Sequence, residues 1–535
     1  MTAQPFFQRP LAFWAGVLLI TLGVLSHGPM FLMGQHTHWR MVGMPMTWEM
    51  WVGMGLIPLG LALAFWGLLP PPPGDAAHGL GQGFHVADGA ALNRAHASLV
   101  LVLIVTLAID VMKPATLGFV MPGLSAEYEI ARSQAGWLAL FALTGTTVGS
   151  VVWGRLADRY GRRAAILLSA LMFIGTAICG AMPSFEWNLA MCFLMGASAG
   201  GLLPIAFTLM AETVPARHRG WLLVALGGVG TSAGYLLAAG AAAWLEPLFS
   251  WRVLWLLGLP TGAVIVLLNR FIPESPRFLA ATGRAEQARD VLARFAGGQR
   301  LALDDARHPA PPEVDDERHP VQGLRALLQG RHARLTGALL LCGLGWGLVN
   351  FGFLLWLPSQ LGALGVDASG ANALLARSSV LALPGIALVV LLYHRWSSVR
   401  ALVLFIALTA LSLLAFAALA LLGLRAPALT TATTAALLVS VSGVIAMLIP
   451  YAAEIYPVHL RGSGSGVVAA SSKAGGIVGA LLAVGGFFEH FVLAAVLLAL
   501  PMLASAWWLA RCGVETRGAS LEGIQQALGG GDPGP

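Results

Sequence analysis

The feature that most limits what this chain can become is the spacing of its apolar runs. They recur as separated stretches of about twenty residues, each long enough at 1.5 Å per residue to cross a hydrocarbon layer of about 30 Å as a helix. In hydrocarbon every backbone N–H and C=O must be bonded within the protein, which leaves helices and closed barrels. The runs are continuously apolar and lack the period-two alternation of a barrel strand, so a barrel is excluded. Of 535 residues, 57% are apolar and 10% carry a charge, against about 25% charged in an ordinary soluble protein. The expectation is an all-α polytopic membrane protein. Two leading runs, at about 11–33 and 49–70, precede twelve more that begin near residue 98, about fourteen in all. The first run is too long for a removed signal peptide and lacks its small-residue cleavage site, so it reads as a mature helix.

Charge sets orientation and excludes several functions. The formal charge of +6 rests on 31 basic residues, of which only Lys113 and Lys473 are lysines, and both fall inside apolar runs. Arginines that flank spans orient a membrane protein and call for no nucleic-acid partner. Arg155, Arg159, Arg162 and Arg163 share one connection, Arg217 and Arg219 another, and more lie between Arg277 and Arg334. That side reads as cytoplasmic, with both termini on it and Glu127, Glu129, Glu186 and Glu246 facing outward, in a bacterial-type inner membrane. No Walker A or Rossmann glycine pattern, catalytic triad or metal-hydrolase motif is present, so the chain does not read as an enzyme. Cys179, Cys192, Cys342 and Cys512 are scattered and suggest neither a disulfide framework nor a zinc site.

The order reads as follows: a transmembrane hairpin over 1–70, a cytoplasmic linker over 71–96 that opens with Pro70 to Gly74, and a six-helix bundle over 97–272. A cytoplasmic central loop follows over 273–335, with Pro309, Pro311, Pro312 and the acidic run Asp315 to Glu317, and Ala285 to Phe295 reads as a short amphipathic helix at the membrane surface. A second six-helix bundle covers 336–512, and a cytoplasmic tail 513–535. The bundles are related by a countable repeat. Ala211 to Gly220 closes the fourth span of the first, Ala453 to Gly462 the fourth of the second, and five of ten positions agree at an offset of 242 residues. Parallel repeats of six spans place a substrate site near the midplane between them.

Gly154-Arg155-Leu156-Ala157-Asp158-Arg159-Tyr160-Gly161-Arg162-Arg163 resembles the signature loop of the major facilitator superfamily. Its glycines read as a tight turn, and Asp158 as a partner of nearby helix-end amides. The two span-four ends, Pro273-Glu274-Ser275-Pro276-Arg277-Phe278-Leu279 and Trp356-Leu357-Pro358 narrow the resemblance to the sugar-porter and metabolite:proton symporter branch, over roughly residues 97–512. The chain is most similar to the aromatic acid:proton symporters, whose first span reads Asp-x-x-Asp-x-x-x-Leu-Gly-Phe-x-x-Pro. Here Asp110 and the Leu117-Gly118-Phe119 run are kept, and Lys113 replaces the second aspartate. The family's span-four arginine is absent, with Cys192 in its place. Gly154, Asp158, Arg159, Gly161, Arg162, Arg163, Glu212, Arg219, Glu274, Arg277, Glu454 and Arg461 then read as a cytoplasmic gate. The resemblance implies a twelve-helix transporter; the hairpin lies outside it.

An ionisable side chain at membrane depth is a functional candidate by default. Asp110 and Lys113 lie three residues apart and share a helix face. One reading is a neutralising pair that makes the span insertable. The other is that Asp110 accepts a coupling proton while an arriving anion competes for Lys113. Lys473, Arg377 near the end of span eight, and Asn350, Trp346 and Trp356 of span seven are candidate substrate contacts, and the excess of cations favours a carboxylate. Trp346 and Trp356 with Phe351 and Phe353 read equally as packing. The hairpin carries His36, His38, Met41, Met44 and Met46, ligand types that suit Cu(I), although methionine and tryptophan also suit an interfacial hairpin. The combined expectation is a monomeric proton-coupled symporter importing a small organic anion, with the proton as coupling ion, no cofactor, and the hairpin facing lipid or a partner protein. Copper handling or sensing, and proton-independent facilitation or export, are the alternatives.

Overall fold

The computed structural model describes residues 8–68, 89–297, 327, 330–363, 368–424, 426–456 and 458–517. Pro70 to Gly74, Pro309, Pro311, Pro312, Asp315 to Glu317 and the tail after Arg517 lie outside them, as does the side chain of Arg461. Among the described residues there is no strand, and fourteen helices are long and apolar enough to cross a membrane. They are α1 (Pro10–Thr37), α2 (Trp48–Leu68), α3 (Arg94–Glu127), α4 (Arg132–Tyr160), α5 (Arg162–Ala181), α6 (Phe185–Thr213) and α7 (Arg217–Phe249). The rest are α8 (Val253–Phe271), α9 (Ala333–Leu361), α10 (Ser369–Arg395), α11 (Ser398–Leu421), α12 (Pro427–Ile455), α13 (Gly464–Val484) and α14 (Phe491–Cys512). The residues group into two compact units, one built from Met1–Ala131, Trp137–Arg219 and Gly240–Ala310, the other from Arg132–Gly136, Gly220–Ala239 and Pro311–Pro535.

Helix starts are set by short polar side chains that satisfy otherwise unbonded amides. Ser184 caps the Trp187 amide at the start of α6, and Ser397 caps Arg400 at the start of α11. Asn93 does this twice over. Its Oδ1 accepts from the amides of Ala95 and His96, opening α3, while its Nδ2 donates to the carbonyls of Arg294 and Phe295 at 3.2 and 2.9 Å. Those carbonyls end the amphipathic helix Ala285–Phe295, which forms as the sequence suggests and packs on the start of α3 through His96 and Phe295, ring centroids 4.9 Å apart.

The hairpin α1/α2 closes at glycines. A Cβ on Gly16 would stand 2.5 Å from the Gly60 carbonyl oxygen, and one on Gly60 2.7 Å from that of Gly16. Such close approach is how helices adhere where hydrocarbon surrounds both. The hairpin then docks along the first unit. Phe65 meets Tyr160 edge-on at 5.2 Å, Trp51 meets Trp187 at 6.1 Å, and Ile57 fills the space over Gly175. The turn between its helices is strained, with His38 and Trp39 in the left-handed region at φ 52° and 65°, a conformation that costs roughly 1 kcal/mol or more per non-glycine residue. The Trp39 amide donates to Gly34, and its ring contacts Phe31 and Phe249, which offsets that cost.

A buried ion pair anchors this turn. Glu127, at the end of α3, accepts from Arg252 Nη2 at 2.7 Å and Nε at 3.1 Å, from Trp251 Nε1 at 3.0 Å, and from the Met41 amide at 2.8 Å. The fully buried Arg252 also donates to the carbonyls of Gly180 and Met182 and lies 4.6 Å over the Trp251 ring. The cluster therefore joins α3, α5, the start of α8 and the hairpin turn. Covered on both sides, α5 has 94% of its most apolar window buried, against 44% for α4. Glu127→Ala strands a buried guanidinium and should cost about 3–5 kcal/mol, read as a lowered unfolding temperature in detergent. A Cβ on Gly175 would lie 4.0 Å from Ile57 Cβ, within the span of a disulfide. The Ile57→Cys/Gly175→Cys pair should therefore oxidise readily, seen as a mobility shift that a reductant reverses.

Candidate transport site

In the first unit the charged pair at membrane depth sits on α3. Pro114 has no N–H for the carbonyl four residues before it, which loosens the helix at this level. Lys113 Nζ donates to Asp110 Oδ1 at 3.1 Å and lies 4.1 Å from the centroid of the Phe173 ring on α5. The lysine side chain is wholly buried and that of Asp110 is 6% exposed. Nearby hydroxyls are satisfied within the helix, Thr106 on the Val102 carbonyl and Thr116 on that of Met112. The sequence brings Asp110 and Lys113 to one face, and the structure pairs them. What the spacing does not reveal is that the ammonium is aimed at the α5 ring.

In the second unit, residues 348–354 of α9 form a π-helical turn, a distortion often found at functional positions. Asn350 lies on it, half-buried. Trp346 is committed to packing, its Nε1 donating to the Val441 carbonyl at 2.8 Å, and Phe353 stacks on Phe491 at 5.3 Å. Trp356 lies parallel to Phe488, and its Nε1 has no partner among the described residues. α13 runs beside α9: a Cβ on Gly347 would stand 2.7 Å from the Gly476 amide, and one on Gly479 3.3 Å from Gly352 Cα. Lys473, half-buried, belongs to this contacting stretch, whereas Arg377 is exposed on α10.

The loop between α4 and α5 departs from its sequence reading. The turn is made by Gly161 alone, at φ 105°, while Gly154 lies inside α4 with open space around it. Asp158 is exposed and pairs with Arg162 at 3.4 Å instead of binding helix-end amides. Those amides, of Arg162 and Arg163, go to Glu274, at 2.7 Å for Arg162. The reason is reach: Asp158 sits one turn back along α4, whereas the segment after α8 returns to the mouth of α5. Burial pushes the Glu274 carboxyl above its usual range, while bonds from the Ser275, Arg162 and Arg163 amides pull it back. Arg163 Nε donates to Asn269, and Arg162 also meets Glu212 at 3.6 Å. Arg219 donates to the Val214 carbonyl, Arg159 is exposed near the Tyr160 ring, and Arg277 is exposed.

The second unit repeats this device with a residue the sequence reading passed over. Glu515, just after α14, accepts from the Ser398 amide at 3.0 Å and from the hydroxyls of Ser397 and Ser398 at the start of α11. Glu454 accepts from Tyr393 at 2.9 Å and from Thr516 at 2.6 Å. The signal was present: Glu515-Thr516 follows Glu274-Ser275 at one residue short of the repeat spacing. Burial opposes ionisation of Glu515, but the bonds from Ser397, Ser398 and Arg517 outweigh it and bring its pKa to about 2, from 4.5. A depressed carboxylate pKa stabilises the fold at pH values above the unfolded value, and the gain fades as pH falls through the folded one. The stability difference between wild type and Glu515→Gln should thus be full above pH 4.5 and shrink towards pH 2, as followed by thermal unfolding.

The copper candidates divide, with His36 and His38 exposed, Met44 and Met46 half-buried and Met41 buried against Gly34. Among the described residues, no group of three His, Cys, Asp or Glu side chains is placed to hold a metal.

Fourteen apolar helices and a charged pair at membrane depth define a multi-pass membrane protein. Residues 99–480 match the Major Facilitator Superfamily, and the chain belongs to it. It is 28% identical over 450 residues to a niacin transporter of Acinetobacter baylyi, covering 81% of this chain and 97% of that one. Over 212 residues it is 34% identical to a 4-hydroxybenzoate transporter of the same organism, covering 39% and 46%. Its fold is similar to the partially occluded, inward-open xylose transporter of Escherichia coli, at a TM-score of 0.64 and 18% identity, covering 80% and 100%.

Proposed function

We propose that this chain is a proton-coupled symporter that takes up a small organic anion, an aromatic or aliphatic carboxylate, by alternating access. It sits in a bacterial-type inner membrane with both termini cytoplasmic. The observation that carries this reading is the Asp110–Lys113 pair, buried in α3 where an ionisable group is costly and therefore functional by default. Asp110 takes the coupling proton, and an anion arriving near Lys113 weakens the ammonium's hold on the carboxylate and so favours its protonation. Niacin and 4-hydroxybenzoate, the molecules for which two relatives are named, are both aromatic carboxylic acids, which supports a substrate of this class. Within the second unit, Lys473, Asn350 and Arg377 are the candidate polar and cationic substrate contacts and Trp356 the aromatic one. The positive-inside distribution of arginines supports the orientation.

Substrate-evoked current and pH change in proteoliposomes, with nicotinate, 4-hydroxybenzoate, benzoate and succinate as probes, test the reading. Wild type is expected to couple proton entry to uptake of at least one probe. Asp110→Asn should abolish proton-driven accumulation and keep substrate exchange, and Lys113→Ala should raise KM at least tenfold. Folded protein with no response to any probe overturns the organic-anion reading. Uptake indifferent to Asp110→Asn and to pH overturns proton coupling.

A further inference from the structure

Beyond Asp110, the wholly buried ammonium of Lys113 has one further partner among the described residues, the face of Phe173, 4.1 Å from Nζ to the ring centroid. We infer that Phe173 is a positioning residue for proton coupling: its π face holds the charged Lys113 in place when Asp110 takes up the proton. The inference rests on the symport reading above.

The reasoning is electrostatic. With Asp110 ionised, Lys113 faces a full counter-charge at 3.1 Å, and the quadrupole of the ring adds little. Once the carboxylate has accepted a proton, the lysine keeps its own three, no covalent bond beyond that O–H forms or breaks, and the site carries a net positive charge. What faces that charge can be read from the neighbouring helices. In α5 no charged residue or histidine lies between Arg163 and the end of the helix, in α6 none between Glu186 and Glu212, and in α8 none before Arg270. The titratable groups in those stretches are the thiols Cys179 and Cys192. In the proton-loaded state the neutral carboxyl still accepts a hydrogen bond from the ammonium but no longer opposes its charge, and the face of the ring carries a larger share of what holds Lys113 until an anion arrives. A cation–π contact is strongest where water is excluded, as here. The ring is itself held firmly: Phe173 is 5% exposed, and two residues along, Gly175 is packed against Ile57 of the hairpin.

Removing the π face should selectively disfavour the proton-loaded state. The test replaces Phe173 with Leu, Tyr and Trp, and with phenylalanines carrying one, two and three ring fluorines, which weaken the face stepwise with little change of shape. The readout is the pH dependence of proton-driven uptake in proteoliposomes, with thermal unfolding as a check on folding. The expected result is a half-maximal pH displaced towards acid by about one unit in Phe173→Leu. The displacement should grow with each fluorine, the maximal rate at acid pH should be kept, and Tyr or Trp should preserve the wild-type profile. A half-maximal pH unchanged across the fluorine series overturns the role of Phe173, even where Phe173→Leu is unstable. A wild-type protein that takes up substrate without protons overturns both this inference and the symport reading. Coupled wild-type uptake with a flat fluorine series overturns only this inference.

Discussion

Hydrocarbon offers no reward for pressing one apolar helix against another, so a membrane bundle is held by how closely backbones approach and by the polar contacts that closeness allows. The structure depends on this throughout. Gly145 and Gly149 of α4 lie against α6, while Gly196 and Gly200 of α6 lie against α4, each with no room for a side chain. In the second unit Gly343 and Gly347 of α9 meet Ser471 to Gly476 of α13, the stretch that carries Lys473. The placement of candidate side chains is thus set by residues that have almost no side chain themselves.

Polar groups add what contact distance cannot. At the Glu127 end of the first unit, four donors converge on one carboxylate, which offsets the cost of stripping water from it and from Arg252. At the other end Glu274 draws the α5 amides to the segment after α8, and Asn93 ties the start of α3 to the end of a helix 202 positions later in the chain. These ties lie at helix ends, where unbonded amides and carbonyls are found. Between them the membrane-depth stretch of α3 holds a single ion pair, so that a change in its protonation is felt against a background of fixed apolar contacts.

Much of the fold was legible because span length and charge placement are one-dimensional signals. The fourteen helices, the amphipathic helix Ala285–Phe295 and the pairing of Asp110 with Lys113 all follow from spacing within one segment. What stayed hidden required knowing which segments meet. Arg252 reads in sequence as one more arginine near a span, yet it is fully buried. Phe173 reads as an apolar residue in an apolar run, and only the packing of α5 on α3 sets its face to Lys113. Asp158 is near the helix-end amides in sequence, whereas Glu274, far in sequence, holds them. Glu515 was recoverable, since a duplicated chain lets one half annotate the other.

The burial of α5 carries a consequence for how the molecule is made. A chain enters the membrane from its N-terminus, so the hairpin is in place before the helix it covers has been synthesised. On its inner face Ile57 meets α5 over Gly175, and Trp51 meets Trp187 at the start of α6. α5 is nonetheless as apolar as helices that lipid surrounds, with a mean hydropathy of 2.2 over its most apolar window against 2.1 for the far less buried α10, so burial changes what the helix touches without changing what it is made of.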